Sequence, residues 1–590
     1  MDFLNSFLSS LQSDSKNAPL PLSPDPLVPT LPSHERYGTQ FDALRSPDLD
    51  RAGGLFSPVH PGQQTPSTDT QNFQIDETFQ PHAVPEEQLT QALSVPVSID
   101  IGSYDMLSVE YGCTSLRAAF QVRHKEIREL IKELDGTNAE RANFDVPNPD
   151  ERWYFGRIVS ASPNVDKLNV SDILLEGGNG KCASLIFSNQ FAVFPGQFVA
   201  VKGILEARKQ LIVTELIDGV LPPHPNHDLD HHRAPDGMEI ITAQGPFLRV
   251  AEYLSENVPD PYPIDFSSFE SLIAHVYSTK PQVVVLFGPF LDPLDPIVQR
   301  CNSMGFKTPE ELFDELLKII AGLAQDLTTQ FILVPHTKDL AYTSGLPFVP
   351  MTPFDVNLEK FLPVNQNQPT SYHIDTSVNS LHIHLVPNPA FVTINNVEFL
   401  LMSEDILFHI NKRHCNKVDI SNKNGPSSDT FTTLCSYLLK QRSIFPLASL
   451  PTPPPQSYNT NMPTTQDEFE SLRMSAADHT QTAIFRISEA PHVVIVPSIL
   501  KHFVRRVDET VFINPGSFRQ NKKIASISIA PAGRVTTAAA NEFLQKQQRE
   551  RNRLMEDEES EEDTPQMIID PQEANHFIDR IRVDLMSSSR

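Results

Sequence analysis

The sequence predicts a multidomain chain in which a small closed β-barrel precedes an α/β domain, with a polar tail at either end. Three observations predict it. Apolar and polar residues alternate in five short segments between residues 151 and 220. From 237 to 530, continuous apolar runs are interleaved with helical patterns, the mark of a sheet covered on both faces. Both ends are rich in Pro, Ser or charge and poor in apolar periodicity.

The elements follow in order. Residues 1–110 read as a disordered Pro/Ser/Asp-rich tail, with thirteen prolines in the first hundred residues. Its Ser-Pro and Thr-Pro pairs make Ser23, Ser46, Ser57 and Thr65 candidates for proline-directed phosphorylation, although no Lys or Arg stands three residues after any of them. Residues 111–150 hold a helix and linker, with Leu116, Phe120, Ile127, Ile131 and Leu134 at helical spacing and Gly136 as the stop. Strands are expected at 153–159, 169–175, 182–187, 198–205 and 211–217, punctuated by Gly177-Gly178, Pro195-Gly196 and Gly203. Five strands in this space with no long helix predict an OB-type barrel over 151–222.

A His-rich linker is expected at 223–236, and its His224, His227, His231 and His232 could bind zinc only weakly. The α/β domain spans 237–530, with strands at 238–242, 283–287, 331–334, 381–386, 399–402, 493–496 and 511–513. A helix over 309–322 should carry Thr308 as N-cap, Pro309 at its first position and Glu311 closing a capping box. Residues 450–464 form a Pro-rich insert, and 531–590 a charged tail with an acidic run at 556–563.

Composition excludes several classes. The 590 residues carry 74 acidic against 47 basic side chains, a formal net charge of −27, which disfavours an autonomous nucleic-acid binder. Residues 151–220 hold seven basic and seven acidic side chains, so no basic groove for single strands is evident in the barrel. Five scattered cysteines without a C-x-x-C argue against a disulfide framework or zinc ribbon. No apolar run approaches the ~18 residues of a membrane span, and no secretory signal opens the chain, so a soluble protein of a reducing compartment is expected.

The α/β strands end in a sequence of short motifs: Thr242-Ala243-Gln244-Gly245, Phe287-Gly288-Pro289-Phe290-Leu291-Asp292, Pro335-His336-Thr337-Lys338-Asp339, Val496-Pro497-Ser498-Ile499-Leu500 and Asn514-Pro515-Gly516-Ser517. Their order resembles the calcineurin-like phosphoesterase fold, whose strand ends carry D-x-H, G-D-x-x-D, G-N-H-D, G-H-x-H and a closing N-P-G-S. On that resemblance the metal ligands fall at Ala243, Gly245, Pro289, Thr337, Lys338, Ser498 and Leu500. A two-metal hydrolase needs carboxylates and imidazoles on both ions. These residues supply almost none, so the resemblance implies a catalytically degenerate site with no metal and no cofactor.

A barrel ahead of such a domain is similar to the B subunits of replicative DNA polymerases, with the alpha–primase branch the closer match. The residues that carry it are Phe194-Pro195-Gly196-Gln197-Phe198-Val199, Leu286-Phe287-Gly288-Pro289-Phe290-Leu291-Asp292, Gln441-Arg442-Ser443-Ile444-Phe445-Pro446-Leu447, and Val496-Pro497-Ser498 with Asn514-Pro515-Gly516. The resemblance covers residues 112–530. It implies a non-catalytic scaffold subunit that binds the zinc-bearing C-terminal domain of the catalytic subunit of DNA polymerase alpha. Through that complex it would reach the primase subunits, other replication factors and DNA, in the nucleus and without a membrane.

Phe445, Phe503, Arg505 and Arg506, beside family-like motifs, are candidate partner anchors; the alternative is that the phenylalanines are core and the arginines solvated. Three other functions stay open. One is the small subunit of another replicative polymerase. A second is an active metallophosphoesterase with ligands relocated to His336, His382, His384 or Asp292. The third is an OB protein that grips single-stranded DNA itself.

Overall fold

Two strands open the fold, β1 (Phe73–Phe79) and β2 (Ile99–Ile101). In the computed structural model, the residues described are 73–80, 97–101, 116–135, 144–162, 167–247, 249–250, 264–265, 267–292, 308–340, 351–358, 382–417, 429–447, 485–532 and 577–588. All of them belong to one unit, Gln71–Arg590. β1 and β2 correct the expectation that 1–110 is wholly a tail: each pairs with a strand far away in the chain, and that pairing supplies the hydrogen bonds a lone segment lacks. The phosphorylation candidates Ser23, Ser46, Ser57 and Thr65 lie outside the described residues.

Helix α1 (Leu116–Asp135) follows. The barrel comes next: β3 (Asn148–Ser160), β4 (Ile173–Glu176), β5 (Cys182–Phe187), the short β6 (Phe191–Val193), β7 (Phe198–Leu205) and β8 (Gln210–Ile217). Five of these close in the order β3-β4-β5-β8-β7. Only the β5–β8 seam is parallel. The inward positions Ile158, Ile173, Leu175, Val199, Val201 and Leu211 fill the interior, as the period-two pattern requires. Ile127 of α1 packs on Phe155, Phe198 and Ala200, so the helix lies against the barrel's outside.

The expected 223–236 linker contains a 3-10 helix, His227–His232, whose Asp230 is buried. Beyond it run β9 (Met238–Gln244), the short pair β10 (Arg249–Val250) and β11 (Ile264–Asp265), α2 (Ser267–Thr279), β12 (Val283–Phe287), α3 (Pro309–Asp326), β13 (Gln330–Val334), β14 (Ile383–Leu385), β15 (Ala390–Ile394) and β16 (Val397–Leu401). The Thr308–Glu311 capping box forms as expected, with Pro309 at the helix start. Next come α4 (Ile406–Arg413), β17 (Cys415–Lys417), α5 (Thr430–Lys440), β18 (Val493–Ile495), β19 (Phe503–Val507), β20 (Thr510–Asn514), α6 (Phe518–Asn521), β21 (Ile524–Ile529) and β22 (Ile581–Ser588).

These strands build two sheets, β1-β22-β21-β9-β12-β13-β14 and β19-β20-β18-β16-β15-β2. The alternation along β12 explains their stacking. Val283, Val285 and Phe287 face the second sheet, meeting Val392, Phe399 and Val493 in a shared core. Val284 and Leu286 point the other way, onto α2 and α3 through Leu272, Leu316 and Ile320. On the far side Leu400, Val494 and Phe512 pack against Ile406, Ile410, Leu434 and Leu438 of α4 and α5. Each such buried side chain contributes roughly 1.5–3 kcal/mol. The result is helix, sheet, sheet, helix, with apolar strands buried on both faces.

β22 corrects the reading of 531–590 as only a charged tail. It lies between β1 and β21, second from the sheet edge. Its apolar residues Ile581, Val583 and Leu585 alternate into the inter-sheet core. Just ahead of it, Arg580 donates to the carbonyls of Ala530, Asp230 and Ala234 at 2.8, 3.0 and 2.6 Å. Phe577 N–H donates to the Asp230 carboxylate at 3.0 Å, and Asp230 also pairs with Arg233. The His-rich segment is therefore clamped by the chain's C-terminal segment rather than left as a free linker.

Candidate functional site

Parallel strands β9, β12 and β13 of one sheet and β16, β18 and β20 of the other end in the loops that carry the five motifs. Strand ends of this kind are where ligands usually sit in α/β folds. Here they are occupied by the chain itself. Ala243 is in the helix-side core and Pro289 is buried. Gly245 lies so close to the next loop that a Cβ would stand 2.2 Å from the Pro289 carbonyl oxygen. A Cβ on Gly288 would stand 2.6 Å from Asp339 Oδ2. No side chain, and hence no ligand atom, fits at either glycine.

The polar groups that remain serve the backbone. Asp339 accepts from Phe290 N–H at 2.8 Å and from Leu291 N–H at 3.3 Å. Thr337 donates to Glu404 through both N–H and hydroxyl, at 3.0 and 2.6 Å. Lys338 N–H donates to His336 Nδ1 at 2.9 Å. Asn514 Oδ1 accepts from Ser498 N–H and Gly516 N–H, both at 2.9 Å, and its Nδ2 donates to the Leu500 and Lys501 carbonyls at 3.3 Å. Leu500 N–H donates to Ser498 Oγ at 3.1 Å.

Asp405 caps α4 through Phe408 N–H and also accepts from Ile499 N–H at 2.8 Å. Burial pushes its carboxyl up to about 6, against hydrogen bonds from Ser498, Ile499 and Phe408 and the field of Lys338. His409 on α4 is driven down to about 4, chiefly by burial and then by Arg413.

This donor set does not fit a pair of metal ions. Ala243, Gly245, Pro289 and Leu500 offer no side-chain donor, and the Lys338 ammonium would repel a dication. Among the described residues no group of three or more His, Cys, Asp or Glu is placed to hold a metal. The relocated set is not assembled either. His336 and Asp292 lie in loops after the strands. His382 and His384 flank Gln330 at the opposite end of β13, at 2.7 and 2.8 Å from its amide.

The motifs Phe194-Pro195-Gly196-Gln197 and Gln441-Arg442 meet in space and join barrel to body. Gln441, at the end of α5, accepts from Phe198 N–H at 2.9 Å and donates to the Phe198 and Asp218 carbonyls at 2.9 and 2.8 Å. Arg442 donates to Val220 and Leu221 carbonyls at 3.1 and 2.6 Å. Gln197, fully buried, accepts from Phe194 N–H and donates to the Asp218 carbonyl. Phe194 leaves the barrel to pack on Tyr437 of α5, ring centroids 4.8 Å apart. β6 pairs with β17, and Lys440 pairs with Asp218 at 2.9 Å. The barrel is hydrogen-bonded to the body as one polar sheet edge is to another.

The anchor candidates divide. Phe445 and Phe503 are corrected to core residues, 7% and 1% exposed, Phe445 against Phe485 and Phe503 stacked on Phe431. Arg505 is tied to Asp429 and Glu77, and Arg506 to Asp579 and Glu509. Glu404 and Asp405 were missed by sequence reasoning. The polar triple Ser403-Glu404-Asp405 directly after an apolar strand was the available signal.

The model of the family described as the B subunit of DNA polymerases alpha and epsilon matches residues 245–505, which take in the motifs at 287–292, 335–339 and 496–500 and Gln441-Arg442, but neither the 514–517 turn nor the barrel. Over those residues the chain is similar to that family. Among its relatives are proteins named as the B subunit of DNA polymerase alpha. That of Schizosaccharomyces pombe is 27% identical over 70% of this chain and 67% of its own length. That of Mus musculus is 26% identical over 59% of this chain and 50% of its own, and that of Saccharomyces cerevisiae 24% over 72% and 61%. The chain thus spans about half the length of the mouse relative. A solved protein of Thermus thermophilus aligns with 50% of this chain and 94% of its own at 9% identity, but its TM-score of 0.18 carries no argument.

Proposed function

We propose that this chain is a non-catalytic accessory subunit of DNA polymerase alpha–primase. In this reading the barrel is an OB fold and the body a calcineurin-like phosphoesterase fold without its metal ligands. Together they hold the zinc-bearing C-terminal domain of the catalytic subunit and couple it, with primase, to the replication machinery in the nucleus. The observation that carries the reading is the weld at Gln441. Family motifs in barrel and body are used on each other, so the two present one composite face to a partner. The strand order β3-β4-β5-β8-β7 with one parallel seam supports the OB assignment. A net charge of −27 supports contact with DNA mainly through the complex.

The domain bounds 151–222 and 237–530 stand in this proposal as the cores of barrel and body, the latter extended by β1, β2 and β22. A family model that spans alpha and epsilon keeps the small subunit of another polymerase as the alternative. Co-purification of the full chain with C-terminal domains of the alpha and epsilon catalytic subunits, side by side, tests both. A stoichiometric complex with alpha is expected; capture of epsilon alone transfers the assignment. Metal-dependent turnover of a phosphodiester by the purified chain overturns the non-catalytic reading.

A further inference from the structure

We propose that a phosphate group binds between Arg123 and Arg486, where α1 meets the body beside the barrel's exit strand. The site stands apart from the proposed assembly role and does not depend on it.

The segments after α5 and before β18 make a short antiparallel contact. Ser443 and Arg486 are bridged, Ile444 N–H donates to the Phe485 carbonyl at 2.8 Å, and Ile487 N–H to the Arg442 carbonyl at 3.1 Å. That contact holds Arg486 over α1. There a single carboxylate, Glu126, accepts from Arg123 Nη1 at 2.9 Å on Oε2, while its buried Oε1 stands 2.8 Å from Arg486 Nε as an ion pair without hydrogen-bond geometry. The Arg123 pKa is lowered mainly by burial, with the charges of Arg486 and Arg442 adding to it and Glu126 opposing.

Arg123 is left with an unmet need. Its Nη2 is buried and has no hydrogen-bond partner among the described residues. Buried donors are otherwise almost always satisfied, and an unsatisfied one points to an absent water or ion. Water would satisfy the N–H but not the charge, since two guanidiniums share one carboxylate. An oxyanion does both, and guanidinium forks suit phosphate. A tetrahedral group can present separate oxygens to two guanidiniums at different angles while Glu126 keeps its place. Arg486 is 45% exposed and forms the open side through which the group enters.

The phosphate could be free or carried on a phosphorylated peptide. Both probes are titrated into the full chain at constant ionic strength, with chloride as the control, and binding is read by calorimetry and by thermal unfolding. Saturable stabilisation by inorganic phosphate is expected. A phosphoserine peptide that binds more tightly than phosphate identifies a peptide-borne group; equal affinity identifies free phosphate. Arg123→Lys keeps the charge but loses the fork and should weaken binding at least tenfold, as should Arg486→Gln on the exposed side. Glu126→Gln removes the competing carboxylate and should tighten it several-fold. Absence of saturable binding by either probe, or equal binding by wild type, Arg123→Lys and Arg486→Gln, overturns the proposal.

Discussion

Replacing Gln441 by Leu should loosen the barrel from the body, and the structure sets the size of the effect. Gln441 is 2% exposed, so no water takes the place of its amide. Leu matches its bulk but removes the acceptor for Phe198 N–H and the donor to the Phe198 carbonyl. The Asp218 carbonyl still receives Gln197 Nε2 at 3.2 Å, so that loss is partly covered. A buried donor stripped of its acceptor costs about 1–3 kcal/mol, and each lost bond about 0.5–1.5 kcal/mol more. The total is about 2–4 kcal/mol. The chain has one tryptophan, Trp153 on β3, so its fluorescence follows the barrel while far-ultraviolet circular dichroism follows the whole fold. In urea the two transitions should coincide in the wild type, as expected of one cooperative unit, and separate in Gln441→Leu. Coincident transitions in the variant, with stability changed by less than about 0.5 kcal/mol, would refute the weld as what makes the two parts one body.

Arg580→Ala removes donors to three carbonyls and a ring contact with Phe577, and should cost about 3–5 kcal/mol in urea unfolding because those bonds are charge-assisted. His492 is held down to about 3, mainly by burial and then by Arg233. The unfolded chain binds its proton below about 6.5 while the folded chain does not, so its contribution is present above that pH and lost as pH falls toward about 3; His492→Gln should flatten the fall in stability measured between pH 6.5 and 4.5. Asp405 runs the other way. With a folded value of about 6 against 3.8, the folded chain binds the proton more tightly, and the stability this adds is lost as pH rises through about 6. Asp405→Asn keeps a cap acceptor for α4, so it should gain stability relative to wild type at pH 8 and lose that advantage at pH 5, read by urea melts at the two pH values.

Local pattern made the barrel legible. The strands Cys182–Phe187 and Phe198–Leu205 lie where period two predicts them, and the α3 capping box was readable from Thr308, Pro309 and Glu311. What escaped was pairing across the chain. Ile99–Ile101 is three residues long and is a strand only because Val392 to Ile394 offer it a ladder. β22 follows an acidic run, and nothing local says that Ile581, Val583 and Leu585 fill a core whose other strand residues lie about 50 to 350 positions earlier in the chain. The site divided the same way. That the strand ends bring few side-chain donors could be read from the motifs, since Gly, Ala and Pro have none. That Phe445 is core, and that Gln441 reaches Phe198, could not, because both depend on where α5 ends in three dimensions.

The strand ends are held by side chains that satisfy the backbone of the loops. Loops there leave backbone N–H groups unpaired by any strand, and a buried unpaired donor costs about 1–3 kcal/mol. Asp339 takes those of Phe290 and Leu291, Asn514 those of Ser498 and Gly516, and Asp405 those of Ile499 and Phe408. Three side chains thus satisfy six donors, in the loops after β12, β18 and β20 and in the first turn of α4. Glycine at 245 and 288 lets two of the loops approach to a distance no Cβ allows, which closes the space where a ligand would otherwise enter. The Asp339 and Asp405 carboxylates at this apex are therefore engaged by the backbone they hold.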